Sequence, residues 1–247
     1  MTFDERRALG GLIAPAFHEA HRAIRRGKVG ELVLTGGRGS AKSSCAAIEL
    51  LVQLMRHPDC HAVALRRVGR TLRASVWSQL LWAMEQLGLE QEFEASVTRL
   101  ELVHKTTGQC IWCFGLDDAA KLKSIKPPFG HIGAVWFEEL DQFSGPEQVR
   151  SAEQSLLRGE GPSLVIKSFN PPALPGNWAN RYARQPKPGM LVVHSDYRQL
   201  PPHWLGERFL QEAEHLRLTN ERAYRHEYLG QVVGSGTLVF DNLKLEP

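Results

Sequence analysis

A glycine-rich turn between an apolar segment and an amphipathic segment constrains this chain more than any other feature. Residues 31–35 are typical of a buried strand, and residues 42–56 carry apolar side chains at helical spacing. Between them runs Gly36-Gly37-Arg38-Gly39-Ser40-Ala41-Lys42-Ser43. Glycines let a backbone curl until successive N–H groups point at one anion, and the N-terminus of the following helix adds partial positive charge. The turn therefore predicts a phosphate-binding loop.

Several side chains of this loop add chemistry to its backbone. Lys42 can reach β- and γ-phosphates, and the Ser43 hydroxyl can bind Mg²⁺. Arg38 is either a catalytic arginine that contacts the γ-phosphate from within the same subunit, or a side chain that faces solvent or DNA. Ala41 stands where glycine usually precedes the lysine, so we expect it to keep a negative φ. The predicted nucleotide-binding residues are Gly36, Gly37, Arg38, Gly39, Ser40, Ala41, Lys42, Ser43 and Ser44.

An acidic pair follows a second apolar segment, at residues 132–137. Phosphate transfer from a nucleotide needs an acid that positions the metal ion and a group that orients the attacking water. We assign Glu138 to the metal, together with Ser43, and Glu139 to catalysis as the general base. Aspartate is commoner at the first position, so the roles of the two glutamates could be exchanged. Asp141 lies two residues further on.

A third polar segment ends the apolar run 163–169. Ser168, Phe169 and Asn170 precede Pro171-Pro172, and proline stiffens the exit of the chain. Ligands of α/β sheets bind beyond the carboxyl ends of the strands. Ser168 and Asn170 are therefore candidates to sense a γ-phosphate, the alternative being a plain turn.

Alternation of predicted strands and helices indicates an α/β fold with a mainly parallel central sheet flanked by helices. We expect helices over residues 3–28 and 71–87, a hairpin from strands 97–104 and 109–114, and a small helical, lid-like region over about 203–230. One domain would span 1–232, and 233–247 would be a linker toward a further domain.

Composition excludes some classes of protein. No apolar run reaches the roughly 18 residues of a membrane span, and the N-terminus lacks the pattern of a signal peptide, so we expect a cytoplasmic protein. The net charge of +3 does not by itself indicate nucleic-acid binding. Cys110 and Cys113 form a C-x-x-C motif, but on a strand they would face opposite sides, and no second pair follows at zinc-site spacing. This argues against a zinc or redox site.

The ordered set of motifs resembles the large terminase subunit of tailed bacteriophages, in the branch whose P-loop reads Gly-Gly-Arg-Gly-Ser-x-Lys-Ser. The matching segments are 36–43, 65–76, 136–139, 168–172 and 228–230. The resemblance implies a P-loop NTPase domain that uses ATP and Mg²⁺ to move double-stranded DNA, without base specificity, into a procapsid. It also implies a portal protein and a small terminase subunit as partners, and the host cytoplasm as location. The assembled ring usually has five subunits, and we expect the isolated domain to be a monomer.

The resemblance assigns further residues. It maps a coupling motif onto Ser168, Phe169 and Asn170, and it places Phe17 and Arg22 near the adenine. Candidates for DNA contact, or for an arginine supplied to a neighbouring subunit, are Arg66, Arg67, Arg70 and Arg73. Lysines that could also contact DNA are Lys121, Lys123 and Lys126. The family's metal-dependent nuclease domain would begin where this chain ends, so no DNA cleavage is expected from it.

Two other functions fit the same motifs. A helicase-like P-loop motor would share the loop, the acidic pair and the sensing strand, although 247 residues leave little room for a second lobe. A protein that binds nucleotide without turnover is favoured by the unusual Ala41 and Glu138.

Overall fold

The computed structural model describes residues 11–117, 122 and 125–234, and within these ranges the chain folds around one eight-stranded sheet. The strands are β1 (Glu31–Gly36), β2 (Cys60–Arg66), β3 (Phe93–Ser96), β4 (Glu101–His104), β5 (Cys110–Gly115), β6 (His131–Glu138), β7 (Leu164–Phe169) and β8 (Met190–Ser195). The α-helices are α1 (His18–Arg25), α2 (Lys42–Arg56), α3 (Ser78–Gln86), α4 (Pro146–Leu156), α5 (Trp178–Ala183), α6 (Glu207–Thr219) and α7 (Glu221–Glu227).

The sheet is mainly parallel, as the sequence predicts. Its strand order is β3-β4-β5-β2-β6-β7-β1-β8. Every neighbouring pair from β5 to β8 is parallel, whereas β3–β4 and β4–β5 are antiparallel. Every residue of β1, β2 and β7 is buried, because helices cover both faces of the parallel part. The α/β class is therefore confirmed.

The strands divide their side chains between two apolar cores. Leu32 and Leu34 of β1 pack into the core that holds α1, α2 and α3, while Val33 packs into the core that holds α4 and α5. This alternation follows from the two-residue period of a strand. Each face of the sheet is thus fixed by its own helical layer.

The strand order determines where the predicted motifs meet. β1 lies between β7 and β8, and β7 also pairs with β6. Thr35 is in register with Phe169, and Glu138 with Ser168. Parallel strands end at the same edge of a sheet, so the loop after β1, the acids after β6 and the polar end of β7 share one edge.

Several predicted boundaries differ from the structure. Within the expected helix 3–28, residues 3–10 lie outside the described ranges, and a 3₁₀ turn (Pro15–Phe17) precedes α1. The expected helix 71–87 begins instead as a 3₁₀ turn (Gly69–Thr71) and a π-helical turn (Arg73–Trp77), and only α3 is α-helical. Strand β3, which the sequence did not reveal, adds a third antiparallel strand to the predicted hairpin.

The C-terminal part contains α6 and α7, so the predicted helical region over about 203–230 is present. Residues 235–247, most of the predicted linker, lie outside the described ranges, and the domain boundary remains a prediction. Among the described residues, no helix is both long enough and apolar enough to cross a membrane.

Candidate nucleotide-binding site

The predicted phosphate-binding loop connects β1 to α2 and borders a cavity of about 460 Å³. Gly39 has a φ of +67°, the left-handed conformation in which glycine avoids strain. Ala41 also has a positive φ, of +58°. The expectation that Ala41 keeps a negative φ is therefore wrong: the loop adopts its curled backbone despite the methyl group, at a cost of about 1–2 kcal/mol. The loop geometry thus determines this residue's conformation.

Lys42 is the first residue of α2, and its side chain folds back over the loop. Its Nζ donates hydrogen bonds to the carbonyl oxygens of Gly36 (3.0 Å) and Gly37 (2.8 Å) and to the Ser40 hydroxyl (2.9 Å). The residue is only 8% exposed. Burial lowers the pKa of Lys42 to about 8, against a smaller opposing effect of the Glu138 carboxylate. Lys42 is therefore still mostly charged at neutral pH, and it loses its proton as the pH rises through about 8.

Glu138 ends β6 and accepts hydrogen bonds from two hydroxyls. Ser43 Oγ donates to its Oε1 at 2.5 Å, and Ser168 Oγ donates to its other carboxylate oxygen. Burial raises the pKa of Glu138, although both hydroxyls and the Lys42 and Arg66 cations act in the opposite direction. One carboxylate thus links the start of α2 to the end of β7.

This arrangement fits a magnesium ion. Hydroxyl and carboxylate oxygens are hard ligands, and protein sites for Mg²⁺ commonly use only one or two of them together with substrate phosphates. Ser43 and Glu138 place such oxygens side by side at the loop. No group of three or more His, Cys, Asp or Glu side chains within the described ranges could hold a metal ion by itself. Ser43 and Glu138 are thus the candidate protein ligands for such an ion.

Glu139 has a left-handed backbone, with a φ of +56°, and its side chain forms an ion pair with Arg66. The Glu139 side chain is 39% exposed and lines the cavity, whereas the Arg66 side chain is 9% exposed. Arg66 Nη1 also donates to Ser75 Oγ at 2.9 Å. Asp141 lines the same cavity, and burial, followed by the Glu138 charge, raises its pKa. The candidate general base is therefore paired with a cation in this structure.

The end of β7 meets the site as predicted. Ser168 is buried, and besides donating to Glu138 it accepts a hydrogen bond from Trp136 Nε1 at 2.7 Å. Phe169 is buried, and Asn170 is exposed, and both line the cavity. Trp136 was not predicted as part of the site, although it lies two residues before Glu138 on a strand and therefore faces the same side.

The C-terminal helices cover the outer side of the loop. The sequence suggested a lid-like helical region there, but not the residues that make the contact. The Arg38 side chain is 67% exposed and lies 3.4 Å from a carboxylate oxygen of Glu227 in α7. The Arg38 backbone N–H donates to the Glu227 carbonyl at 2.8 Å. A Cβ at Gly37 would overlap the Tyr228 carbonyl, and one at Gly39 would collide with the Phe209 ring. The loop backbone is therefore in van der Waals contact with these helices.

The basic residues predicted to contact DNA or a neighbouring subunit lie in different parts of the structure. Arg66 lies within its own chain's site, whereas Arg70 and Arg73 are exposed and Arg67 is half-buried, all beyond the same end of β2. Lys126 is exposed, and Lys121 and Lys123 lie outside the described residues.

The two residues expected near the adenine do not line the cavities around the loop. Phe17 is fully buried in the core, and Arg22 borders a separate cleft with Arg25, Arg26 and Arg56. All four cysteines are free and buried, and burial raises the pKa of Cys110 to about 11 and that of Cys113 to about 12. Burial thus keeps both thiols in their protonated, less reactive form.

Comparison with known proteins agrees with this geometry. Residues 31–231 match a family model described as phage terminase large subunit. The chain is 37% identical, over 238 residues, to the terminase large subunit of Bacillus phage SPP1, and the match covers 94% of this chain and 56% of that protein. This chain therefore spans about half the length of that relative.

Solved structures share the fold. The large terminase of a thermophilic bacteriophage superimposes with a TM-score of 0.70 at 13% identity, covering 89% of this chain and 53% of that one. The ATPase domain of the large terminase of Thermus phage P74-26 gives a TM-score of 0.65 at 16% identity, covering 94% of this chain and 100% of that one. The resemblance inferred from the motifs is confirmed, and the chain belongs to the phage terminase large subunit family.

Proposed function

We propose that this chain is the ATP-hydrolysing motor domain of a phage terminase, and that it couples hydrolysis of Mg-ATP to movement of double-stranded DNA into a procapsid. One observation carries the proposal: Lys42, Glu138 and Glu139, with the polar end of β7, line the same cavity beside the loop after β1. The first of the large terminases compared above, from a thermophilic bacteriophage, has been solved with ADP and with ATP-γ-S, which supports a nucleotide as the ligand.

The loop would hold the phosphates of the nucleotide. Its backbone N–H groups and the start of α2 offer partial positive charge, and Lys42 adds a full one. The hydrogen-bond acceptors of Lys42 are now two carbonyls and a hydroxyl of its own loop, so phosphate oxygens would replace them with charged acceptors. Ser43 and Glu138 would hold Mg²⁺, which when bound neutralises phosphate charge and favours attack on the γ-phosphoryl group.

Glu139 would accept a proton from the attacking water. Its carboxylate lines the cavity but is paired with Arg66 in this structure, so it must leave that partner before it can orient water. Arg66 is fixed by Ser75 and is nearly buried, whereas Glu139 is more exposed, which makes Glu139 the more mobile member of the pair. The ion pair would thus hold the site inactive until nucleotide and neighbouring groups compete for Glu139.

Two contacts could transmit the state of the nucleotide. Ser168 joins Glu138 to β7 and so to Asn170, and Arg38 joins the loop to Glu227 of α7. Arg38 would serve either as a γ-phosphate contact, after leaving Glu227, or as part of the coupling to the C-terminal helices. Loss of the γ-phosphate would change both contacts.

The partners follow from the family and remain proposals for this chain. They are double-stranded DNA held through phosphates, a portal protein, the small terminase subunit and neighbouring copies in a ring of about five, in the host cytoplasm. The exposed Arg70 and Arg73, with Arg67, would contact DNA phosphates or reach a neighbour's nucleotide. Such contacts would weaken as salt rises and would not depend on base sequence.

A nucleotide-binding protein without turnover is the second candidate. The pairing of Glu139 with Arg66 favours it, because a base engaged by a cation cannot take a proton. The helicase-like alternative has no comparable observation in its favour.

Phosphate release from Mg-ATP, measured with and without double-stranded DNA, tests the choice. We expect turnover that Glu139→Gln abolishes while ATP still binds, and that Lys42→Ala abolishes together with binding. Glu212→Gln, on an exposed position of α6, is the matched control and should retain turnover. Normal turnover in Glu139→Gln would refute the assignment of the base. ATP binding without turnover, in the assembled packaging machine as well as in the isolated chain, would favour the second candidate.

A further inference from the structure

A second cavity adjoins the phosphate site and has a different character. It encloses about 510 Å³ and shares Gly39, Ala41, Ser44 and Gln79 with the first cavity. Its remaining walls are mostly apolar. They include Leu12, Trp82, Leu200, Trp204 and Leu205, with Gln86 among them. The phosphate chemistry described above makes no use of this space.

The direction in which a nucleotide would lie in the first cavity determines which part of it faces the second cavity. Lys42, Glu138 and Ser168 mark the end at which a γ-phosphate would lie. The opposite end of the same loop, at Gly39 and Ser44, is where the cavities join. A nucleotide bound with its terminal phosphate at the acids would therefore direct its base into the second cavity.

The walls of this cavity suit a flat aromatic group. Trp82 comes from α3, and Trp204 from a 3₁₀ turn (Pro202–Trp204) that leads into α6. Trp204 is 36% exposed, so a large apolar ring remains partly in water in this structure. Indole rings stack on nucleobases of any sequence, and the amides of Gln79 and Gln86 can both donate to and accept from the edge of a base.

We propose that Trp82 and Trp204 form the nucleobase site of this chain, with the amides of Gln79 and Gln86 facing the edge of a purine. The proposal rests on the proposed function, because it takes the phosphates to occupy the first cavity. Base binding would join α3 to the segment before α6, whose Phe209 already contacts Gly39. The chain would thereby distinguish a nucleotide from a bare polyphosphate.

Calorimetric binding of ATP and of inorganic tripolyphosphate, both with Mg²⁺, separates the two cavities. We expect Trp204→Ala and Trp82→Ala to weaken ATP binding on the order of 10-fold, which is what the loss of one stacked base commonly costs. Tripolyphosphate, which has no base, should bind these variants as it binds the wild-type chain, and this also shows that they fold. Trp204→Phe should restore most of the ATP affinity, because a phenyl ring still stacks.

Leu218→Ala, at an exposed apolar position of α6, is the control and should bind both ligands normally. No weakening of ATP binding by the tryptophan variants would overturn the nucleobase site and leave the phosphate site intact. Equal weakening of both ligands would also overturn the nucleobase site, because these residues would then act on the phosphate site or on the fold. If the wild-type chain binds tripolyphosphate as tightly as it binds ATP, the nucleobase site is likewise refuted. Failure of the wild-type chain to bind either ligand would overturn the proposed function itself.

Discussion

Replacing Ala41 with glycine should stabilise the protein, contrary to the usual effect of an alanine-to-glycine change. Ala41 has a φ of +58° in the loop, and left-handed backbone costs an L-residue about 1–2 kcal/mol. Glycine removes that strain but gives the unfolded chain more freedom, which costs about 0.4–1 kcal/mol. Loss of a half-buried methyl group, packed against the core, costs roughly 0.4 kcal/mol more. The net expectation is a gain of about 0.5 kcal/mol in the free energy of unfolding.

Urea unfolding of Ala41→Gly and of the matched variant Ala223→Gly measures this effect. Ala223 is also half-buried but lies in α7, where glycine should cost about 1 kcal/mol. The two variants should therefore differ by about 1.5 kcal/mol, or roughly 3–6 °C in melting temperature for a chain of this size. An equal loss of stability in both variants, at unchanged denaturant slope, would refute the claim that the loop stores strain at Ala41.

Three further predictions concern the side chains of the site. Burial lowers the pKa of Lys42 to about 8, so its charged fraction falls as pH rises through 8, and ADP affinity should drop about tenfold per pH unit above that value. Calorimetry from pH 7 to 9.5 checks this, and a flat profile that matches Lys42→Met would contradict it. Arg66→Gln should lower the free energy of unfolding by about 1–2 kcal/mol. In a double-mutant cycle with Glu139→Gln we expect a coupling of at least about 0.5 kcal/mol, and strict additivity would exclude a stabilising ion pair. Ser168→Ala should cost about 1–3 kcal/mol in urea unfolding because the buried Trp136 N–H loses its acceptor, and a loss below about 0.5 kcal/mol would argue against that bond.

The parts of the site that could be predicted are those that depend on residues close together in the sequence. The loop at 36–43 is recognisable because a strand, a set of glycines and a helix follow one another directly. Glu138 and Ser168 each end an apolar strand, and parallel strands bring their carboxyl ends together, so the bond between them follows from two local patterns and one rule of topology. The α/β class follows from the same alternation.

The parts that could not be predicted depend on contacts between distant segments. Arg66 and Glu139 are 73 residues apart, and nothing in either segment indicates that one would neutralise the other. The contact of Phe209 with Gly39 depends on how α6 folds back over the loop. The left-handed Ala41 was mispredicted because a general preference for negative φ was applied to a loop whose geometry requires the opposite. The π-helical turn before α3 has no signal in the apolar spacing that suggested one continuous helix.

The C-terminal segment packs closely against the phosphate loop. The glycines of that loop are therefore needed for this packing as well as for binding phosphates. A side chain at Gly37 would overlap the backbone of Tyr228, and one at Gly39 would collide with the Phe209 ring. A smaller residue at position 209 would make room for a side chain at Gly39. No change of side chain at position 228 would do so for Gly37, because the overlap there is with the backbone. A variant of Gly37 or Gly39 would therefore disturb the packing of the C-terminal helices as well as the binding of phosphates.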